Sequence, residues 1–287
     1  MTGAAREAAI RPARCAGAAR PAPCYDAAMV VGILVVVGCV ALSMLALVAV
    51  RRRVPLEQLR EQHDVAAACF AVVGGLYGIV LAFVLVSSWQ RFEEARERAE
   101  VEANALADLY RHAGALPAPV DEQLRGLVLT YAKGVIDEEW TAMSDNRQSV
   151  AVQATFDKMW TTLLEAPSGD GKELVLFQNT LGKMDDFSDA RRDRLLFARV
   201  GMPAIVWVFL IASGTVTIGF SYFFGLRQVS SQMMMTAALA GTIAAALVLI
   251  AELQTPFAGS VRVSPYGFEQ LLIALSSRAP LGQAPPR

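Results

Sequence analysis

Three sets of residues in this sequence have the types and the spacing for chemistry. Asp185, Asp189 and Asp193 recur every fourth residue, which on a helix stacks three carboxylates along one face, the donor type that a hard cation takes. Arg191, Arg192 and Arg194 stand among them, so the simpler reading is a solvated face with balanced charge. Tyr77, Leu81, Val84 and Ser88, spaced by four, three and four, share a face with a hydroxyl at each end and only hydrocarbon between. As pore-lining candidates they would form a constriction that excludes water and gates by dewetting; otherwise they pack or meet lipid. Ser213, Thr215, Thr217 and Ser221 offer hydroxyls for a polar path, against the habit of such groups of bonding back to the preceding turn.

Enzymatic chemistry has no comparable constellation. The sequence carries no phosphate-binding loop, no Gly-x-Ser-x-Gly and no His-Glu-x-x-His. It has two histidines, His63 and His112, and its four cysteines (Cys15, Cys24, Cys39 and Cys69) all fall outside the large polar segment. Neither a zinc pattern nor a disulfide framework can be assembled from them. The expectation is a protein that is not an enzyme and has no cofactor and no metal site.

The elements that must position these residues are set by four charge-free stretches: Ala27 to Val50, Val65 to Gln90, Val200 to Leu226 and Gln228 to Ala251. Each exceeds the roughly 20 apolar residues that a helix needs to cross a bilayer. In hydrocarbon every backbone donor and acceptor must be paired within its own segment, so these runs are helices and the chain is a multi-pass membrane protein. A net charge of −1 leaves no basic footprint for nucleic acid. The four runs contain no Asp, Glu, Lys, Arg or His, which argues against ion-coupled transport and leaves a passive pore, a scaffold or a sensor. In a pore, the lack of acidic rings suits anions or low selectivity better than cations. Residues 1–26, rich in Ala, Arg and Pro, are expected to be a disordered tail or sequence upstream of a start at Met29.

The second run passes without Pro or Gly into Arg91 to Glu102, where eight of twelve residues are charged. Phe92, Ala95, Ala99, Ala103, Leu106, Tyr110 and Ala113 keep an apolar stripe through that charge, so one helix leaves the membrane without unwinding. Glu94 with Arg98, and Arg98 with Glu102, are expected surface pairs at i,i+4. Leu174, Phe177, Leu181, Met184 and Phe187 carry a second stripe toward the third run, with Pro203 in its opening turns. Between them the pattern predicts one helix from about Val120 to Met143 and another from Ser149, as N-cap, to Glu165. The fold expected is all-α: four transmembrane helices (27–90 and 200–252), an extramembrane antiparallel bundle between spans two and three (91–199), and a C-terminal tail (253–287). Gly74 and Gly78, with Gly75 and Ala82, are helix-packing candidates that admit a close neighbour from the same chain or from a second subunit.

Two blocks, GLYGIVLAFVLVSSWQRFEEARERAEVEANALADLYRHAGALP and ELQTPFAGSVRVSP, resemble signature stretches of the bestrophin-like membrane family. The resemblance implies distant kinship with bestrophin anion channels, and with it a homo-oligomer in the cell membrane passing inorganic anions. The competing reading is a non-conducting scaffold or stress sensor that signals through the bundle. The matched positions include Trp89, Glu252, Pro256, Phe257 and Gly259; where the second block often carries an acid, this chain has Gln254. The tail lacks the acidic run on which bestrophin calcium gating depends, so calcium control is not implied. Independently of the family, Trp89 suits a membrane interface, Pro256 stops the fourth helix and Gly259 permits a turn that folds the tail back, with Phe257 plugging helix ends. Glu252 has two readings, lining an entrance or capping a helix. Arginine counts favour a cytoplasmic bundle with both termini inside, against the Arg51, Arg52 and Arg53 cluster on the opposite side.

Overall fold

The computed structural model describes residues 23–54, 63–167, 170–199, 201–224 and 228–277. Residues 1–22 of the tail expected over 1–26, and the loop arginines Arg60 and Arg227, lie outside the described residues, while 23–26 belong to the first helix. The described chain is helical, without strands. Helix α1 is Pro23–Arg53 and α2 is His63–Ala113; α3 (Val120–Gly134) runs through a π turn (Val135–Glu139) into α4 (Trp140–Ser144). Helix α5 is Val150–Leu164, α6 is Lys172–Arg199, α7 is Ala204–Ser221, α8 is Val229–Gln254 and α9 is Tyr266–Ser276. Among the described residues four helices are long and apolar enough to cross a membrane, within Met29–Arg53, Val65–Ala113, Ala204–Phe224 and Val229–Gln254.

The hydrocarbon requirement and the apolar stripe act on α2 in succession, so it is one helix of 51 residues, on the order of 75 Å long. In its membrane half α2 packs on α7 and α8, while α1 lies along α8. Small residues allow that contact: a Cβ on Gly32 would come within 3.0 Å of Val248 Cγ1. At the end of the membrane domain away from the bundle, Arg51 donates to Gln232 Oε1, Gln232 Nε2 donates to the Tyr222 carbonyl, and Ser43 shares a hydrogen bond with Tyr222 Oη. These tie α1, α7 and α8 together where the backbone of α7 ends.

Outside the membrane α2 pairs with α6, and α3 with α5, around a core that includes Leu106, Leu109, Leu124, Tyr131, Met159, Leu163, Met184 and Phe187. Ser149 caps α5 as expected, its hydroxyl accepting from the Val152 amide. Two sequence expectations are corrected. The Val120–Met143 helix is not uniform but contains the π turn. The second stripe does not continue into the third span: α6 ends at Arg199, residues 201–203 are non-helical and α7 starts after Pro203. Proline disfavours helical backbone at the residue before it and donates no hydrogen bond, so Met202–Pro203 forms a joint. Of the helix pair α2 and α6, one thus enters the membrane as a continuous rod and the other is broken before it.

Candidate functional site

On α2 the membrane half has two unlike faces. Tyr77 is 5% exposed and packs with Leu210 of α7 and Ile243 of α8; Leu81 and Val84 pack against the same cluster. Ser88 is buried, donates to the Val84 carbonyl and accepts from Gln254 Nε2. The face expected as a pore-lining candidate thus packs against other helices of the same chain. The opposite side is open: Val72, Leu76, Ile79, Phe83 and Val86 lie between 53% and 71% exposed at spacings of four, three, four and three. Both faces are hydrocarbon, and a periodicity argument that contrasts apolar with polar cannot distinguish them. The small residues divide likewise. A Cβ on Gly74 would contact Thr217 of α7, whereas Gly75 and Gly78 meet nothing and Ala82 is exposed. Ser213, Thr215, Thr217 and Ser221 each donate to a carbonyl three or four residues back on α7, the local bond that competes with a polar path.

Where α2 leaves the membrane, the block after α8 builds a clasp. Gly259 has a φ of 80°, and a Cβ there would sit 2.6 Å from Glu252 Oε2. That oxygen accepts from both the amide and the hydroxyl of Ser260, at 2.9 Å each, so Glu252 fixes the turn rather than an entrance. Pro256 accepts from the Val263 amide and closes the loop. Phe257, 3% exposed, meets Trp140 edge-on, and Trp140 Nε1 donates to the Val263 carbonyl. Helix α9 then lies against α2, with Gly267 so close that a Cβ would come within 3.1 Å of Ala103 Cβ. Trp89, 54% exposed, stands two residues before the first charge, Arg91, which reaches across to the Phe197 carbonyl near the end of α6.

A buried ion network is the main chemical feature of the bundle. Arg194 of α6 is fully buried and donates to Glu102 of α2 through Nε and Nη2, and to Glu139 at 2.6 Å. Arg191 makes a two-pronged contact with Glu139, at 2.9 and 3.0 Å, and donates to Tyr131 Oη and Gln153 Oε1. Tyr131 donates in turn to Glu102 at 2.6 Å. Two guanidinium groups face two carboxylates, so the charges cancel. The π turn makes this possible: eight residues of regular helix would carry Glu139 about 80° around from Tyr131, and a wider turn rotates less per residue. Burial raises the Glu139 pKa, but Arg194 and Arg191 outweigh it and hold the carboxyl below its usual range. Burial opposes the charge on Arg194 as well, and Glu102 with Glu139 raise its pKa well above the ordinary value.

The sequence reading missed this network because it paired Glu102 with Arg98 locally. Arg98 does bind Glu94, and Asp193 as well, while Glu102 turns inward. A signal was present: Ala95, Ala99, Glu102, Leu106, Leu109 and Ala113 follow a four-three repeat, so Glu102 stands within the buried stripe. Arg191 and Arg194 continue Met184 and Phe187 in the same way. Asp185, Asp189 and Asp193 are exposed, as the solvated reading expects, with Asp189 paired to Arg192. No group of three or more His, Cys, Asp or Glu side chains that would hold a metal ion occurs among the described residues.

The Bestrophin-like domain model matches residues 37–268, from the middle of α1 through the clasp into α9. The chain belongs to the bestrophin-like family. Solved structures agree in fold. The bestrophin-like chain is similar to a bacterial bestrophin homolog from Klebsiella pneumoniae at 17% identity and a TM-score of 0.62, over 86% of this chain and 99% of the other. A variant of that homolog aligns at 16% identity with a TM-score of 0.63, over 88% and 99%. A structure described as a membrane protein variant gives 14% identity and 0.62, over 86% and 97%. No curated protein matches the chain. The bestrophin-like domain thus takes in the rod, the packed and the open face of its membrane half, and the clasp.

Proposed function

We propose that this bestrophin-like protein is the protomer of a passive, anion-channel-like pore, built as a homo-oligomer with the open face of α2 toward the shared axis. The observation that carries the reading is that face: Val72, Leu76, Ile79, Phe83 and Val86 form a charge-free stripe on the one span that continues into the bundle. Gly75, Gly78 and Ala82 beside it let neighbouring copies approach closely. An apolar wall of this kind excludes water when narrow and gates by dewetting. Beyond the membrane the rod carries Glu93 and Glu100 beside Arg96, and Glu94 beside Arg98, so most of its carboxylates are offset by arginine and do not form lone acidic rings.

Flux from liposomes tests the reading. Phe83→Ser is expected to wet the constriction and raise anion efflux several-fold, because it places a hydroxyl where the wall offers none. Val84→Ser, on the packed face, should lower the melting temperature and leave flux unchanged, since it trades apolar contacts for a hydroxyl. Mass measurement in nanodiscs accompanies both. A monomer, or efflux from all variants no higher than from empty liposomes, would remove the pore and leave the scaffold or sensor reading, which the ion network between bundle and rod favours.

The bundle and both termini are proposed to be cytoplasmic. Asn146 in the polar SDNR turn is exposed but holds a φ of 58°, which disfavours most side chains, so Arg147, also exposed, is the better position for a reporter thiol. With the native cysteines replaced, Arg147→Cys should resist an impermeant thiol reagent in intact cells and react after lysis. Labelling in intact cells would invert the topology.

A further inference from the structure

We infer that the groove between α5 and α6 is a binding site for an organic anion with a flat apolar body, of the aryl carboxylate class. The groove measures about 400 Å³, within the usual range for small-molecule sites. Its lining is largely hydrocarbon and aromatic, from Phe156 and Trp160 of α5 and from buried Leu195 and exposed Leu196 of α6. Its charged lining is Arg191 and Arg192, with no carboxylate among the lining residues.

The two arginines have different parts. Arg191 is 3% exposed and spends its Nη donors on Glu139, Tyr131 and Gln153, and its guanidinium lies 5.3 Å from the Phe156 ring centroid. It fixes the aromatic wall and takes no ligand proton acceptor. Arg192 stands at the mouth, held only by Asp189 in a pair whose side chains are 64% and 69% exposed. A solvated pair of this kind exchanges readily for a carboxylate that arrives with its own apolar anchorage. Trp160 is oriented by its bond from Nε1 to Ser188 Oγ, leaving the indole face rather than its donor for the ligand. A flat ring stacks there and meets Leu195 and Leu196, while its carboxylate reaches Arg192. A second copy of the chain in the same groove would have to present an acidic and aromatic segment; among the exposed large hydrophobic residues flanking acids, aliphatic side chains such as Val101 dominate.

The test uses the full chain in nanodiscs, with 2-naphthoate and its uncharged analogue 2-naphthamide as probes, empty nanodiscs as the partition control, and Trp fluorescence with equilibrium dialysis as readouts. Saturable binding of naphthoate at one site per protomer is expected, with naphthamide, Arg192→Gln and Trp160→Leu each roughly tenfold weaker, as loss of one charge-assisted contact or one stacked ring gives. Unchanged melting temperatures and mass establish that the variants are folded. The inference is overturned if naphthamide binds equally, if the variants bind as the wild type does, if uptake matches empty nanodiscs, or if binding appears only when the oligomer is dissociated, which would give the groove to a neighbouring copy. None of these outcomes depends on flux.

Discussion

Arg194→Met is expected to destabilise the bundle by on the order of 3–5 kcal/mol, the usual cost of removing one partner from a buried ion pair. Arg194 is fully buried, and without it Glu102 keeps only the Tyr131 hydroxyl while Glu139 keeps Arg191 alone. Thermal unfolding followed by circular dichroism would measure the loss, which should dwarf that of Arg192→Met at an exposed position two residues away. Replacing Glu102, Glu139, Arg191 and Arg194 together by apolar residues of similar volume should recover much of it, because the penalty comes from the stranded carboxylates and not from missing attraction. A loss below about 1 kcal/mol in the single variant would show that water reaches the network. The same arrangement sets a pH response. With its pKa lowered by folding, Glu139 contributes stability that is complete above the ordinary carboxylate pKa and is lost as pH falls through its depressed value, so the bundle should weaken in acid.

How much of this was legible in sequence follows from what each residue had to satisfy. The four spans were, because hydrocarbon forbids unpaired backbone and the demand is local to each run. So was the clasp in outline: Pro256 and Gly259 have few conformations open to them. The open face of α2 was not, since lipid and protein interior are both apolar and a helix of Val, Leu, Ile and Phe looks alike from either. The partners of Glu102 were not either. Arg98 lies four residues away in sequence and Arg194 lies 92 away, so a local rule finds the first, while only the packed bundle selects the second. Glu139 needed in addition a π turn that no short pattern announces.

Ala99→Pro is expected to break the connection between bundle and membrane. Ala99 is 4% exposed, in the extramembrane part of the 51-residue α2, and it faces the tail helix across Gly267. A proline there removes the amide bond to the preceding turn and drives its ring into the carbonyl of Ala95, at a cost of about 3 kcal/mol or more. Because α6 is already interrupted before Pro203, α2 is the only described helix that passes unbroken from the bundle into the membrane, and a kink in it cannot be compensated on the other side. Gly201→Ala is the control: a Cβ there meets nothing within 4 Å, so the joint should tolerate it with unchanged melting temperature. In the proline variant the bundle should melt earlier while the membrane helices stay folded. Unchanged helicity and melting in Ala99→Pro would mean that the helix ends at the membrane surface and that the bundle is held by the clasp alone.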